Sequence, residues 1–118
     1  MDSPTLEQIR MAHEKLAEKT YELLPVVHGY TDRTLYINLD TNEINIKPVS
    51  AEMRETFTGG RGYCMRLLWN AVKDTTKWDD AENELVIAGG PIGGITAYPG
   101  SGKCTVVTIS PLTHNVVD

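Results

Sequence analysis

Between Lys77 and Asp118 the chain carries a single Lys or Arg, Lys103, and it closes a run rich in glycine and proline, Gly89 to Gly102. Glycine reaches positive φ and lets a backbone lie close to a ligand. A glycine-rich loop that ends on one cation suits an anion, or a flat cofactor lying against main-chain N–H groups. A tight crossover between two strands has the same composition. Directly after Lys103 comes the β-branched run Thr105-Val106-Val107-Thr108-Ile109, then Ser110-Pro111-Leu112-Thr113. Lys103, Gly102, Thr105 and Ser110 are the candidate ligand-binding residues of this segment. Hydroxyls near a loop cap turns far more often than they bind ligands, and the same holds for Thr108 and Thr113.

A second candidate lies upstream. Arg61 stands between Gly60 and Gly62 at the start of an expected helix. Free N–H groups at a helix start favour an anion, and a guanidinium beside them adds charge-assisted hydrogen bonds. Arg61 and Gly62 are therefore candidates for the same binding task. On the residues alone, Arg61 is equally suited to face water or to pair with Glu52 or Glu55.

Familiar motifs fail on inspection. A Walker A loop has the form G-x-x-x-x-G-K-[ST], but Ala97 stands where its first glycine belongs and Cys104 follows Lys103. A dinucleotide fingerprint must open a helix after a strand, and Pro91, Pro99 and the Thr/Val run oppose a helix. His13, His28 and His114 are too isolated to form a metal site. No Ser-His-Asp or Cys-His arrangement follows from spacing, and no catalytic residue is assigned.

At 118 residues and 41% hydrophobic content, the chain fits one small domain or part of a larger one. A formal net charge of −5 disfavours nucleic acid as a partner. No apolar stretch approaches the length of a membrane span, and no signal-peptide pattern opens the chain. The expectation is a cytoplasmic protein. Cys64 and Cys104 belong to no C-x-x-C pair, so both are expected as free thiols. Two cysteines cannot supply the four ligands of a [4Fe–4S] cluster.

The positioning elements follow from periodicity. Ser3 and Pro4 fit the cap and first position of a helix over residues 4–24, with Leu6, Ile9, His13, Leu16 and Leu23 at three- and four-residue spacing and Pro25 as the stop. Such a helix docks a partner or packs on its own domain. Leu35-Ile37-Leu39 and Ile44-Ile46 alternate with other residues around Asp40-Thr41-Asn42-Glu43, which predicts a hairpin with one buried face. Residues 50–57 predict a short helix capped by Ser50. Residues 62–72 predict a second, with Cys64, Leu67, Leu68 and Ala71 on one face. Residues 74–84 read as a charged loop. Leu85–Ala88 and Cys104–Ile109 read as strands.

Three blocks, in order, resemble the N-terminal domain of tungsten-containing aldehyde:ferredoxin oxidoreductases. They are TLYINLDTNEINIKPV (34–49), TGGRGYCMRLL (58–68) as a G-x-R-G-x-x-x-x-L-L element, and AENELVIAGGP (81–91) with the Gly/Ala/Pro loop, a basic residue, VVT and SPLT behind it. The resemblance covers about residues 33–118. It implies an N-terminal helical extension over 1–30 and, over 31–118, part of a pyranopterin-binding domain. The implied fold is α+β, an antiparallel β-rich half-domain with the N-terminal helix and one or two others. The implied intact protein holds tungsten between two pyranopterins bridged by Mg²⁺. It oxidises aldehydes to carboxylic acids and passes electrons through a [4Fe–4S] cluster to ferredoxin or an iron–sulfur subunit. The cluster's ligands lie outside this chain, and the chain is expected to be a fragment, a truncated product or a split subunit. Its partner would be the remainder of the catalytic subunit, in a homo- or hetero-oligomer. In the family the position of Lys103 is usually an arginine that contacts the pterin and lies towards the cluster. Here a point charge replaces a planar fork, after a loop one residue longer. A reductase of aromatic acyl-CoA thioesters, or a non-catalytic assembly subunit, fits the same blocks.

Overall fold

The computed structural model describes residues 5–118, and these fall into two units. One takes the chain up to Leu23 together with Arg33–Pro48; the other takes Leu24–Asp32 and Val49–Asp118. The order of elements is α1 (Leu6–Met11), β1 (Arg33–Asn38), β2 (Glu43–Pro48), α2 (Ala51–Phe57), α3 (Arg61–Ala71), β3 (Val86–Gly89), β4 (Cys104–Ile109) and β5 (Val116–Val117). Three helices with small antiparallel sheets make an α+β fold.

In the first unit the expected long helix is one and a half turns. Thr5 caps α1 in a reciprocal box with Gln8, and the helix ends at Ala12. Ser3 and Pro4 lie outside the described residues. From His13 to Leu24 there is no regular structure. The stripe of apolar residues has nothing to pack on: no residue of α1 is buried, and Leu16 is 69% exposed. A short helix without a packed face is marginal, which is why sound periodicity did not propagate.

The hairpin forms where alternation places it. β1 and β2 pair antiparallel from Arg33↔Pro48 to Asn38↔Glu43. Asn38 Oδ1 accepts the N–H groups of Asp40 and Thr41, and Asn42 takes φ 58°, closing the turn. Its apolar face carries Leu35 opposite Ile46 and Ile37 opposite Ile44. That face is not buried as the alternation suggests, because Leu35 and Ile37 are 51% and 56% exposed. On the other face Lys47 Nζ lies 3.9 Å from the Tyr36 ring centroid.

The second unit holds the core. Ser50 Oγ accepts the Met53 N–H to start α2, and Thr58 ends it at φ 61°. Gly62 lets α3 pass close beneath α2, since a Cβ there would stand 2.4 Å from the Phe57 carbonyl oxygen. Cys64 and Leu68, four residues apart on α3, pack on Val86 of β3 and Val107 of β4, with Leu67, Val72 and Ala88 around them. β3 pairs with β4 from Val86↔Val107 to Gly89↔Cys104. β4 pairs in turn with β5, Thr108↔Val117 and Ile109↔Val116. The charged loop before β3 has a specific anchor. Asn83 Oδ1 accepts the Ile109 N–H and the Thr108 hydroxyl, while its Nδ2 donates to the carbonyls of Trp78 and Ile109.

Candidate cofactor-binding wall

Three glycine-bearing bends meet at one place in the second unit. The first is a turn at residues 27–30, with N–H to carbonyl bonds both ways between Val27 and Tyr30, at 3.1 and 3.0 Å. Its central residues, His28 and Gly29, have φ 52° and 83°, the pattern of a type I′ turn. The second is the corner between α2 and α3, where the Gly60 N–H donates to the Gly89 carbonyl at 2.9 Å. The third is the loop from Gly89 to Lys103. Pro91 is the meeting point. A Cβ on Gly29 would lie 1.8 Å from its carbonyl oxygen, and one on Gly59 would lie 3.1 Å from its Cδ.

The loop holds its own shape. Gly93 N–H bonds to Gly90 O, Ile95 N–H to Ile92 O, Gly94 N–H to Ser101 O, and Ser101 N–H to Tyr98 O. The Ser101 hydroxyl donates to the Thr96 carbonyl at 2.8 Å. Between the loop and the 27–30 turn lies an open, mainly apolar cleft of about 540 Å³, lined by Val26, His28, Gly29 and residues 90–95. Gly90, Gly94 and Gly102 face open space: a Cβ on any of them would meet nothing within 4 Å.

The candidate residues divide between this place and others. Lys103 is exposed at the entry to β4, its chain running beside Gly100, and it forms no salt bridge among the described residues. Gly102 precedes it. Arg61 begins α3 next to the Gly60–Gly89 bond, but its guanidinium pairs with Asp118, not with Glu52 or Glu55. Gly62 serves the close approach of α2 to α3. Thr105 shares the core-facing side of β4 with Val107 by alternation, and its carbonyl accepts the Cys64 thiol at 3.5 Å. Ser110 lies past the far end of β4, roughly 20 Å along the strand from Lys103. There its Oγ accepts the N–H groups of Leu112 and Thr113. Gly102 and Lys103 lead into β4 where Cys104 pairs with Gly89, and the Gly89 carbonyl accepts the Gly60 N–H just before Arg61; the Arg61 guanidinium itself turns to Asp118, after β5, and Ser110 is a turn-forming hydroxyl past the other end of β4. His114 adopts φ 57° in that same distant turn.

Two groups in this unit titrate away from their ordinary values. Burial pushes the Cys64 thiol up, against an opposing hydrogen bond with the Ala88 backbone. Burial likewise raises the Tyr63 phenol, helped by Tyr30 and Asp32 and opposed by Arg54. Cys104 is exposed, Cys64 is buried, and neither is in a disulfide. No group of three or more His, Cys, Asp or Glu among the described residues is arranged to hold a metal ion. None of their helices is long and apolar enough to cross a membrane. The sequence reading missed the His28-Gly29 turn and the Asn83 anchor. Gly29, a lone glycine shortly after Pro25, was the available signal for the first; nothing local marked the second.

The family model described as "Aldehyde ferredoxin oxidoreductase, N-terminal domain" matches residues 34–118. The chain is 36% identical over 87 residues to the tungsten-containing aldehyde ferredoxin oxidoreductase of Pyrococcus furiosus, and 33% identical over 87 residues to that of Thermococcus kodakarensis. Each alignment covers 74% of this chain and 14% of the relative. It is also 30% identical over 96 residues to the aliphatic sulfonate oxidoreductase, WOR-like subunit, of Pyrococcus furiosus, covering 77% of this chain and 15% of that protein. The chain thus spans about one-seventh of the length of these relatives. With the family's N-terminal domain model matching residues 34–118, more than half of this chain, the chain belongs to the aldehyde ferredoxin oxidoreductase family of oxidoreductases.

Proposed function

We propose that this chain forms one wall of the pterin site of a tungsten oxidoreductase that converts aldehydes to carboxylic acids and delivers the electrons to ferredoxin. The observation that carries this reading is the convergence of the three glycine bends beside Lys103. Main chain at Gly90, Gly94 and Gly102 stands open with no side chain to hold a flat ring away. Lys103, free of any carboxylate partner among the described residues, offers charge to a phosphate. These residues fit a flat, anionic cofactor. Lys103 would attract its phosphate, Gly102 would let the ring approach, and Arg61 would face the same end of the sheet after releasing Asp118. When bound, the tungsten bis-pyranopterin with its Mg²⁺ would supply the oxidation chemistry, as is usual where a cofactor carries the hard step. The protein's task is to bind, orient and shield.

Cys64 and Cys104 cannot complete a [4Fe–4S] cluster by themselves, so that cluster would be ligated by the remainder of the catalytic subunit. A cytoplasmic setting accords with two unpaired thiols. A second reading keeps the cofactor and changes the substrate. It is supported by the relative named an aliphatic sulfonate oxidoreductase, and an aromatic acyl-CoA thioester is the other substrate class to try. Tungsten and pterin content of the purified full-length subunit carrying this chain tests the proposal. Stoichiometric tungsten and pterin support it, and a subunit free of both removes it in favour of an assembly role. Turnover with an aldehyde, a sulfonate or an acyl-CoA then separates the two substrate readings.

A further inference from the structure

Thr58 has φ 61° and ψ −48°, and the Gly59 N–H donates across it to the Phe57 carbonyl at 2.6 Å. Such a bond around a residue of positive φ and negative ψ makes the rare, strained form of γ-turn. For a β-branched residue this region is a steric outlier. Gly59 and Gly60 follow at φ 150° and 52°. The chain thus turns from α2 into α3 on successive positive φ angles, and only Thr58 carries a side chain through the bend. That side chain is exposed, so packing around it does not impose the conformation.

Strain of this kind persists only where the surroundings over-determine it. The Thr58 N–H donates to the Arg54 carbonyl at 3.0 Å, as the end of α2 requires, and the Thr58 carbonyl accepts the Tyr30 hydroxyl at 2.8 Å. The Tyr30 ring is itself held. The Arg54 guanidinium lies 5.5 Å from its centroid, and Arg54 Nη1 donates to Asp32 Oδ2 at 2.7 Å. Downstream, the Gly60 N–H donates to the Gly89 carbonyl at 2.9 Å, and a Cβ on Gly59 would stand 3.4 Å from that same oxygen. Relaxing Thr58 to negative φ would swing its carbonyl away from Tyr30 and carry Gly59 and Gly60 off Gly89.

We propose that Tyr30 is a positioning residue for the candidate wall: its hydroxyl holds the strained corner at Thr58, and the corner fixes the start of the glycine loop through the Gly60–Gly89 bond. Tyr30 closes the 27–30 turn, whose Gly29 seats on Pro91. One turn therefore braces the loop twice, by backbone contact at Pro91 and through Thr58 at Gly89. The importance of this bracing for a cofactor rests on the function proposed above; the bracing itself does not.

The test is hydrogen exchange by mass spectrometry on the full-length subunit, comparing wild type, Tyr30→Phe, Thr58→Gly and the double variant. Tyr30→Phe keeps the ring over Arg54 and loses only the hydroxyl. Peptides over residues 58–64 and 88–96 should then exchange about three- to tenfold faster, the loss of one hydrogen bond, with the strand at 104–109 unchanged. Glycine adopts positive φ without strain, so Thr58→Gly should exchange no faster than wild type at Gly89, and Tyr30→Phe should have a smaller effect in the Thr58→Gly background. Bound tungsten should fall several-fold in Tyr30→Phe and recover in the double variant. Unchanged exchange in Tyr30→Phe, an equal effect in both backgrounds, or tungsten equal to wild type overturns the proposal. A wild-type subunit without tungsten would remove the cofactor reading instead, and the exchange data would still decide whether Tyr30 holds the corner.

Discussion

The backbone at Gly29 lies so close to Pro91 that a Cβ added to Gly29 would stand 1.8 Å from the Pro91 carbonyl oxygen. Sixty-two positions apart in the sequence, these two residues seat the 27–30 turn on the glycine loop. Gly29 also holds φ 83°, a region costly for a side chain. Gly29→Ala therefore carries both a backbone penalty and a clash with main chain that cannot rotate away. Gly94 holds φ 75° but its Cβ would meet nothing within 4 Å. Gly94→Ala should cost only the conformational term, about 1–2 kcal/mol. Gly29→Ala should cost more and should shift the amide resonances of residues 90–95. Equal stability and unchanged loop resonances in the two variants would refute the seating of the turn.

Much of this geometry was legible locally and some was not. Cys104–Ile109 was readable as a strand because its β-branched run admits little else, and Ser50 announced α2 because a cap is a one-residue signal. Cys64 and Leu68 were readable as core because they recur at helical spacing. The Gly29–Pro91 contact was not readable, since it depends on two distant segments meeting. The helix expected over residues 4–24 failed for the converse reason: its periodicity was sound, but a stripe of apolar residues needs a surface to bury against. At the candidate site, Lys103 stood out by its isolation among uncharged residues. Ser110 is near Lys103 in sequence, but the extended strand between them puts it past the other end of β4, where its Oγ accepts the N–H groups of Leu112 and Thr113.

Cys64 and Cys104 should differ sharply in reactivity. The thiolate is the nucleophile, and burial both shields Cys64 and raises its pKa above the ordinary 9.0. Cys104 is exposed. Titration with an aromatic disulfide at pH 8 should show one fast thiol, abolished in Cys104→Ser, and one slower by roughly tenfold or more. The same shift bears on stability. The folded state keeps a proton that the unfolded chain releases, so the contribution of Cys64 is fully present below pH 9.0 and is lost as pH rises through the folded value. The unfolding midpoint should therefore hold steady towards pH 9.0 and fall above it. Two thiols of equal rate at pH 8 would contradict the buried placement of Cys64.

The half-exposed apolar face of the hairpin should act as an association surface in the isolated chain. Leu35 and Ile37 present contiguous hydrophobic area beside strand edges that carry free backbone groups, and such edges invite pairing with other chains. The double variant Leu35→Thr and Ile37→Thr keeps β-branched or short side chains on the strand. It should raise the concentration at which the chain stays monomeric, measured by light scattering, with little change in circular dichroism. Unaltered self-association would show that the face lies elsewhere.

Lys103 should govern cofactor retention in the full-length enzyme. Lys103→Ala removes the one Lys or Arg after Lys77, so bound tungsten and pterin should drop by several-fold. Lys103→Arg keeps the charge and adds a planar fork of donors, and should retain both. The measurement is metal content by mass spectrometry together with pterin fluorescence after release. If wild type and Lys103→Ala carry equal tungsten, Lys103 has no part in holding the cofactor.

Gly102-Lys103 should not bind nucleoside triphosphates. A P-loop works because successive N–H groups wrap the phosphates, a hydroxyl holds Mg²⁺, and a helix N-terminus follows. In this loop the N–H groups of Gly93, Gly94, Ile95 and Ser101 are already donated to loop carbonyls. Lys103 leads directly into β4, not into a helix. Cys104 stands where the hydroxyl belongs, and a soft thiol is a poor ligand for a hard ion. Isothermal titration of the chain with Mg-ATP and Mg-GTP should show no saturable heat. Micromolar binding that disappears in Lys103→Ala would overturn this, and would make the loop a phosphate cradle built without a helix.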